Sequence, residues 1–229
     1  MTTLALPGRF HAAVFDVDGL LADTEDIWAV AETELLARHG QAFTDEDRRA
    51  TVGRPVEVTI PVYGARIGLP DEELPGLRAE LLALFTELTR SVRPQPGARE
   101  LVFALRGMIP IGVASGSPRS VVEAVLGGIG VLDAFDVIVT SDEVAEHKPS
   151  PEAYLRACMS LGVDPRDTVA FEDSTPGVGS AVAAGVYCVA VPTGGADVSA
   201  ADLVLSSLEA VGVEAMRGRP RGADGAEVR

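Results

Sequence analysis

A chain of 229 residues with 47% hydrophobic content can bury a sizeable core, as one large domain or two modest ones. Its net charge of −15 argues against nucleic-acid and anionic-membrane partners. With no uncharged apolar run of membrane-spanning length and no signal-like N-terminal pattern, a soluble cytoplasmic protein is expected. Cys158 and Cys188 fall in apolar segments and suit packed thiols better than a disulfide.

The first apolar run, His11 to Phe15, has the length of a buried strand and ends on two carboxylates, Asp16 and Asp18, with Gly19 free to turn the chain. Two anions this close repel each other unless a cation lies between them, and hard oxygen ligands suit magnesium. A strand followed by an Asx-type turn would use the same residue types.

From Thr24 to His39, Ile27, Trp28, Ala31, Leu35 and Leu36 recur at helical spacing, and Gly40 is a good stop. Pro55 suits the start of a second helix carrying Val56, Ile60 and Tyr63. A third is predicted from Asp71 to Arg90 on a leucine-rich stripe. Residues 23–92 are therefore expected to be an all-helical cap without strands, and Val92 to Gly97 a stiff return linker.

Beyond Gly97 the pattern becomes strands alternating with helices. Strands are predicted at Ile109–Ala114, Asp136–Thr140, Thr168–Phe171, Tyr187–Val191 and Leu203–Leu205, with helices after Pro118, from Pro151 to Leu161, and up to Ala184. This predicts an α/β fold: a Rossmann-like parallel sheet from residues 1–22 and 93–229, with 216–229 a loose tail. Ligand sites in such sheets lie beyond the carboxyl ends of the strands.

Four polar clusters fall at those ends: Asp16/Asp18, Ser115-Gly116-Ser117, Lys148-Pro149 and Glu172-Asp173. Each has a structural explanation alone, as a turn, a helix cap, an exposed lysine or an acidic loop. Jointly they would place five ionisable groups and a hydroxyl at one edge of an aliphatic sheet. Lys148 is also the single lysine among 19 basic residues, which suggests a position needing a compact ammonium. His11, His39 and His147 show no metal-ligand spacing.

These motifs resemble the haloacid dehalogenase superfamily, in the branch with a helical cap after the first strand. Asp16-Val17-Asp18-Gly19 through Asp23-Thr24-Glu25 carries the likeness, with Val113 to Ser117, Lys148 to Pro151, and Phe171 to Ser174. Leu20-Leu21 with Trp28, and Arg93-Pro94 leading to Pro96-Gly97, are similar to the hexitol and 2-deoxyglucose-6-phosphate phosphatases. The resemblance implies a monomeric, magnesium-dependent phosphatase acting on small sugar or polyol phosphates. In it Asp16 is the nucleophile that forms an aspartyl-phosphate, and Asp18 the general acid and base. Asp16, the Asp18 carbonyl and Asp173 hold the metal, with Glu172 adjusting its shell. Ser115, Gly116 and Lys148 bind phosphate, and Glu25, Trp28 and Arg54 face the substrate from the cap. The general-acid role requires the pKa of Asp18 to lie above that of Asp16.

Asp18 speaks against a dehalogenase, and a cap without lysine against a phosphonate hydrolase. A β-phosphoglucomutase shares the core motifs, but its hinge-side histidine falls at Trp28 and its cap arginine near Val56, with Arg54 close by. A non-catalytic phosphate-binding regulator would need neither the helical insertion nor Asp18.

Overall fold

The structure is a computed structural model, described for residues 4–5, 10–51 and 54–213; the tail expected at 216–229 lies outside the described residues. The chain begins with β1 (Leu4–Ala5), β2 (Ala12–Phe15) and β3 (Ala22–Asp23). Four helices follow: α1 (Glu25–Arg38), α2 (Asp45–Thr51), α3 (Val56–Ile67) and α4 (Leu74–Leu88). The alternating part comprises β4 (Arg93–Pro94), α5 (Ala98–Leu105), β5 (Ile111–Ala114), α6 (Arg119–Gly128), β6 (Val137–Val139) and α7 (Glu152–Leu161). It ends with β7 (Thr168–Glu172), α8 (Thr175–Ala183), β8 (Tyr187–Ala190), β9 (Leu203–Val204) and β10 (Val211–Gly212).

Six strands form one parallel sheet in the order β6-β5-β2-β7-β8-β9. Alternation along the strands builds two apolar layers. Ala13, Phe15, Ile111, Val113 and Phe171 pack with α5 and α6 on one face. Val14, Ala114, Ala170 and Cys188 pack with α7 and α8 on the other. Phe15 stacks on Phe171 with ring centroids 4.8 Å apart, which ties β2 to β7 just below their carboxyl ends. Among the described residues no helix is long and apolar enough to cross a membrane.

In the helical insertion Leu35 of α1, Tyr63 of α3 and Leu81 and Phe85 of α4 are fully buried, in an apolar cluster continuous with the first face of the sheet. Its return meets α6 at Gly128, where an added Cβ would lie 2.6 Å from Val92 Cγ1 and 2.7 Å from the Thr89 carbonyl. The expectation that residues 23–92 hold no strand is corrected at one residue: Asp23 pairs antiparallel with Arg93 in the β3–β4 ribbon joining the insertion to the sheet. Two-residue strands carry no periodicity, which is why sequence pattern missed this ribbon and the β1–β10 pair. Helices α2 and α5 were also not anticipated. The polar sequence of α2 has no apolar stripe, and α5 is only two turns long.

Candidate active site

Parallel register sets the site. Phe15 is level with Val113 and Phe171, so the residues that follow them emerge at one height. Asp16 is the first residue beyond β2, and its N–H donates to the Phe171 carbonyl at 3.0 Å. Gly19 then turns the chain at φ +82°, where any Cβ would lie 2.2 Å from Asp173 Oδ2. Glycine is needed there both for the left-handed backbone and for the close approach.

Lys148 is held by two carboxylates: Nζ donates to Asp16 Oδ1 at 2.6 Å and to Glu172 Oε1. Its ammonium lies 5.3 Å from the Tyr154 ring centroid, and the Tyr154 hydroxyl donates to the same Glu172 oxygen at 2.6 Å. Burial works against the ammonium, but Asp16 and Glu172 outweigh it and hold the Lys148 pKa above the ordinary lysine value. Asp18 sits apart from this pair. The Ser117 hydroxyl donates to its Oδ2 at 2.6 Å, and burial, reinforced by the Asp16 charge, raises its pKa against donors on Ser117, Thr24 and Trp28.

Carboxylate oxygens of Asp16, Glu172 and Asp173 lie within 4.8 Å of one another, and all three residues are buried. Burial pushes Glu172 up to about 7, with Lys148 opposing and Asp16 adding. Burial likewise pushes Asp173 up to about 8, helped by Asp16 and Glu172, while the Thr193 hydroxyl, donating to Asp173 Oδ2, opposes. Glu172 Oε2 is sealed from solvent without a hydrogen-bond partner among the described residues. Three buried carboxylates facing one ammonium leave an excess of negative charge, and an all-oxygen donor set fits a hard divalent cation. The Asp18 carboxylate is not among the three.

A cavity of about 480 Å³ opens above these groups. Asp16, Asp18, Gly116, Lys148 and Asp173 line its floor, and the predicted cap residues Glu25, Trp28 and Arg54 line its helical wall. Trp28 also stacks on Phe85 with centroids 4.0 Å apart, so it is packed and presented at once. Ser115 lies just behind the floor: it is buried, and its Oγ accepts from the Ser117 N–H at 3.0 Å. Gly116 and Ser117 of the same loop line the cavity. His147 lines the cavity beside Lys148.

Sequence reasoning did not anticipate Tyr154, Thr193 or the wall residue Glu32, and it placed Ser117 in a strand-end cluster without a role of its own. Thr193 could have been found, because it follows β8 at the same carboxyl edge. Tyr154 sits on an ordinary amphipathic helix and gives no such signal.

A family model described as haloacid dehalogenase-like hydrolase matches residues 13–191. The chain is 35% identical over 186 residues to validoxylamine A 7'-phosphate phosphatase of Streptomyces hygroscopicus subsp. limoneus, covering 80% of this chain and 86% of that protein. It is 32% identical over 193 residues to hexitol phosphatase B of Escherichia coli strain K12, with 82% and 86% covered. CbbY from Rhodobacter sphaeroides, solved in complex with phosphate, superposes with a TM-score of 0.78 at 29% identity over 87% of this chain and 95% of that one.

Proposed function

The chain belongs to the haloacid dehalogenase-like hydrolases and is a phosphatase of that family, and from this premise we propose a magnesium-dependent hydrolase of sugar or polyol phosphates working through an aspartyl-phosphate on Asp16. The observation that carries the reading is the Asp16–Lys148 pair, set beside Glu172 and Asp173 and opening on a walled cavity. Two of the similar proteins are named for a hexitol and for a phosphorylated validoxylamine, which supports the substrate class.

Magnesium, held by Asp16, Asp173 and the Asp18 carbonyl with Glu172 behind them, would supply positive charge against the phosphate dianion. Lys148 adds a second positive charge, and Ser115 with the Gly116 N–H is assigned the remaining phosphate oxygens. An Asp16 carboxylate oxygen forms a bond to phosphorus as the bond to the leaving oxygen breaks. Protonated Asp18 gives its proton to that leaving alkoxide. In the second half the Asp18 carboxylate takes a proton from water, whose oxygen attacks phosphorus and releases inorganic phosphate with Asp16 restored. The helices between β3 and β4 act as a lid that limits bulk water, and one chain, as a cytoplasmic monomer, supplies the whole set.

Phosphate release from sorbitol 6-phosphate, with magnesium and after chelation, tests this reading. We expect release only with the metal, and acid-stable [32P] label on the protein in a single turnover with labelled substrate. Release undiminished by chelation would overturn the metal assignment. Conversion of glucose 1-phosphate to glucose 6-phosphate without phosphate release, given a bisphosphate primer, would overturn hydrolysis in favour of a mutase.

A further inference from the structure

The helical wall holds a buried carboxylate that the chemistry at Asp16 does not use. Glu32 lies on α1 among the buried apolar residues Ala31, Leu35 and Leu36, is only 9% exposed, and lines the cavity. A carboxylate at such depth is costly unless donors reach it. The nearby protein groups come from two other helices. The Tyr63 hydroxyl of α3 donates to Thr51 Oγ1 at 3.1 Å and also stands near Glu32, and the Arg48 guanidinium of α2 lies within electrostatic reach. Burial, with Asp47 adding, pushes Glu32 up to about 7 despite Tyr63 and Arg48. Protein donors therefore do not fully stabilise its ionised form.

The position of Arg48 and Thr51 is itself built. Asp47 accepts from the Thr44 N–H at 2.7 Å and pairs with Arg66 of α3, while the Thr51 hydroxyl donates to the Asp47 carbonyl at 2.9 Å. These bonds fix α2 on α3 with both residues toward the cavity. Among the insertion residues that line the cavity the acids Asp23, Glu25 and Glu32 outnumber the bases Arg48 and Arg54. A leaving group bearing a second phosphate would call for a cationic surplus, which this wall lacks. An uncharged leaving group with several hydroxyls would bring further donors to Glu32 and acceptors for Arg48.

We propose that Glu32 selects the leaving group, its carboxylate accepting hydrogen bonds from two neighbouring hydroxyls of a neutral polyol or sugar while Arg48 donates to an adjacent oxygen. The proposal rests on the hydrolase reading above and names the substrate feature which that reading leaves open. A site built to bond a hydroxyl discriminates strongly against analogues lacking it, because its own buried group is left unmatched.

The test compares kcat/KM for sorbitol 6-phosphate with that for p-nitrophenyl phosphate, which has no hydroxyl tail, in wild type and Glu32→Gln. We expect the ratio to fall about 10- to 100-fold in the variant, the size of a lost hydrogen bond to a charged group. An unchanged ratio would overturn the proposal, because a merely structural role scales both substrates together. A wild-type series of sugar phosphates each lacking one hydroxyl provides a readout independent of the variant's folding. One or two deletions should each lower kcat/KM at least about tenfold, and a flat series would overturn the proposal. Absence of magnesium-dependent release from every phosphomonoester, p-nitrophenyl phosphate included, would sink the hydrolase reading itself, whereas release with a flat series sinks the role of Glu32 alone.

Discussion

The floor and the helical wall of the cavity are assembled differently. On the floor, Asp16, Glu172 and Asp173 stand at or next to the ends of paired strands, and the ladder that carries Asp16 also carries Glu172. In the wall, Glu32, Arg48 and Arg54 come from separate helices or their junctions, joined by side-chain bonds such as Tyr63 to Thr51. Backbone register fixes the first set, and helix packing fixes the second. A change on the floor should therefore cost rate on every substrate, whereas a change in the wall should redistribute rate among substrates.

The sharpest way to break this contrast is on the floor itself. Asp16→Asn removes the proposed nucleophile while keeping its shape, and kcat should fall by at least ~10⁴-fold on p-nitrophenyl phosphate and sorbitol 6-phosphate alike. Steady-state assays on both substrates check this, and a loss confined to one would make the floor substrate-selective after all. Gly177→Ala comes next and touches no substrate. Its Cβ would fall 1.9 Å from Glu172 Oε2, on a side chain already pinned by Lys148 and Tyr154. Either α8 or Glu172 must shift, at roughly 1–3 kcal/mol for an overpacked core. Both Tm and kcat should drop, again on every substrate, as calorimetry and the same assays would show.

A smaller effect is expected at Ser117, where floor and acid–base chemistry meet. Ser117→Ala deletes the 2.6 Å bond to Asp18 Oδ2 and should cost about tenfold in kcat. That bond opposes the upward shift of the Asp18 pKa, so its loss raises the pKa further. The alkaline limb set by protonated Asp18 should move to higher pH, which a pH–kcat profile would reveal.

The same contrast explains what could be read from sequence. Asp16, Asp18, Lys148, Glu172 and Asp173 each follow a strand-like run or stand in a short local motif, so alternation of strands and helices was enough to place them on one edge. The linking ribbon escaped notice because Ala22–Asp23 and Arg93–Pro94 are too short to show alternation. Glu32 escaped for another reason. In sequence it is one acid on an amphipathic helix, and only the packing of α2 and α3 against α1 turns it into a buried wall group. Ser117 was placed at the strand end but given no partner, since nothing local shows that its hydroxyl reaches back to Asp18.

The smallest expected effect separates selection from stability within the wall. Glu32 has a folded pKa of about 7 against 4.5 for an ordinary glutamate, and burial is the main cause, with Asp47 adding and Tyr63 and Arg48 opposing. The folded state thus holds a proton that the unfolded chain releases. This contribution is fully present below about pH 4.5 and is lost as pH rises through about 7. Glutamine keeps the shape and cannot ionise, so Glu32→Gln should melt higher than wild type at pH 8, with the gap shrinking toward pH 5. For a chain of this length each kcal/mol is worth roughly 2–4 °C. Scanning calorimetry without substrate at the two pH values measures it. A variant less stable than wild type at pH 8 would mean that Glu32 holds the lid together, while a more stable one with poorer selection is the pattern of a carboxylate kept for its ligand.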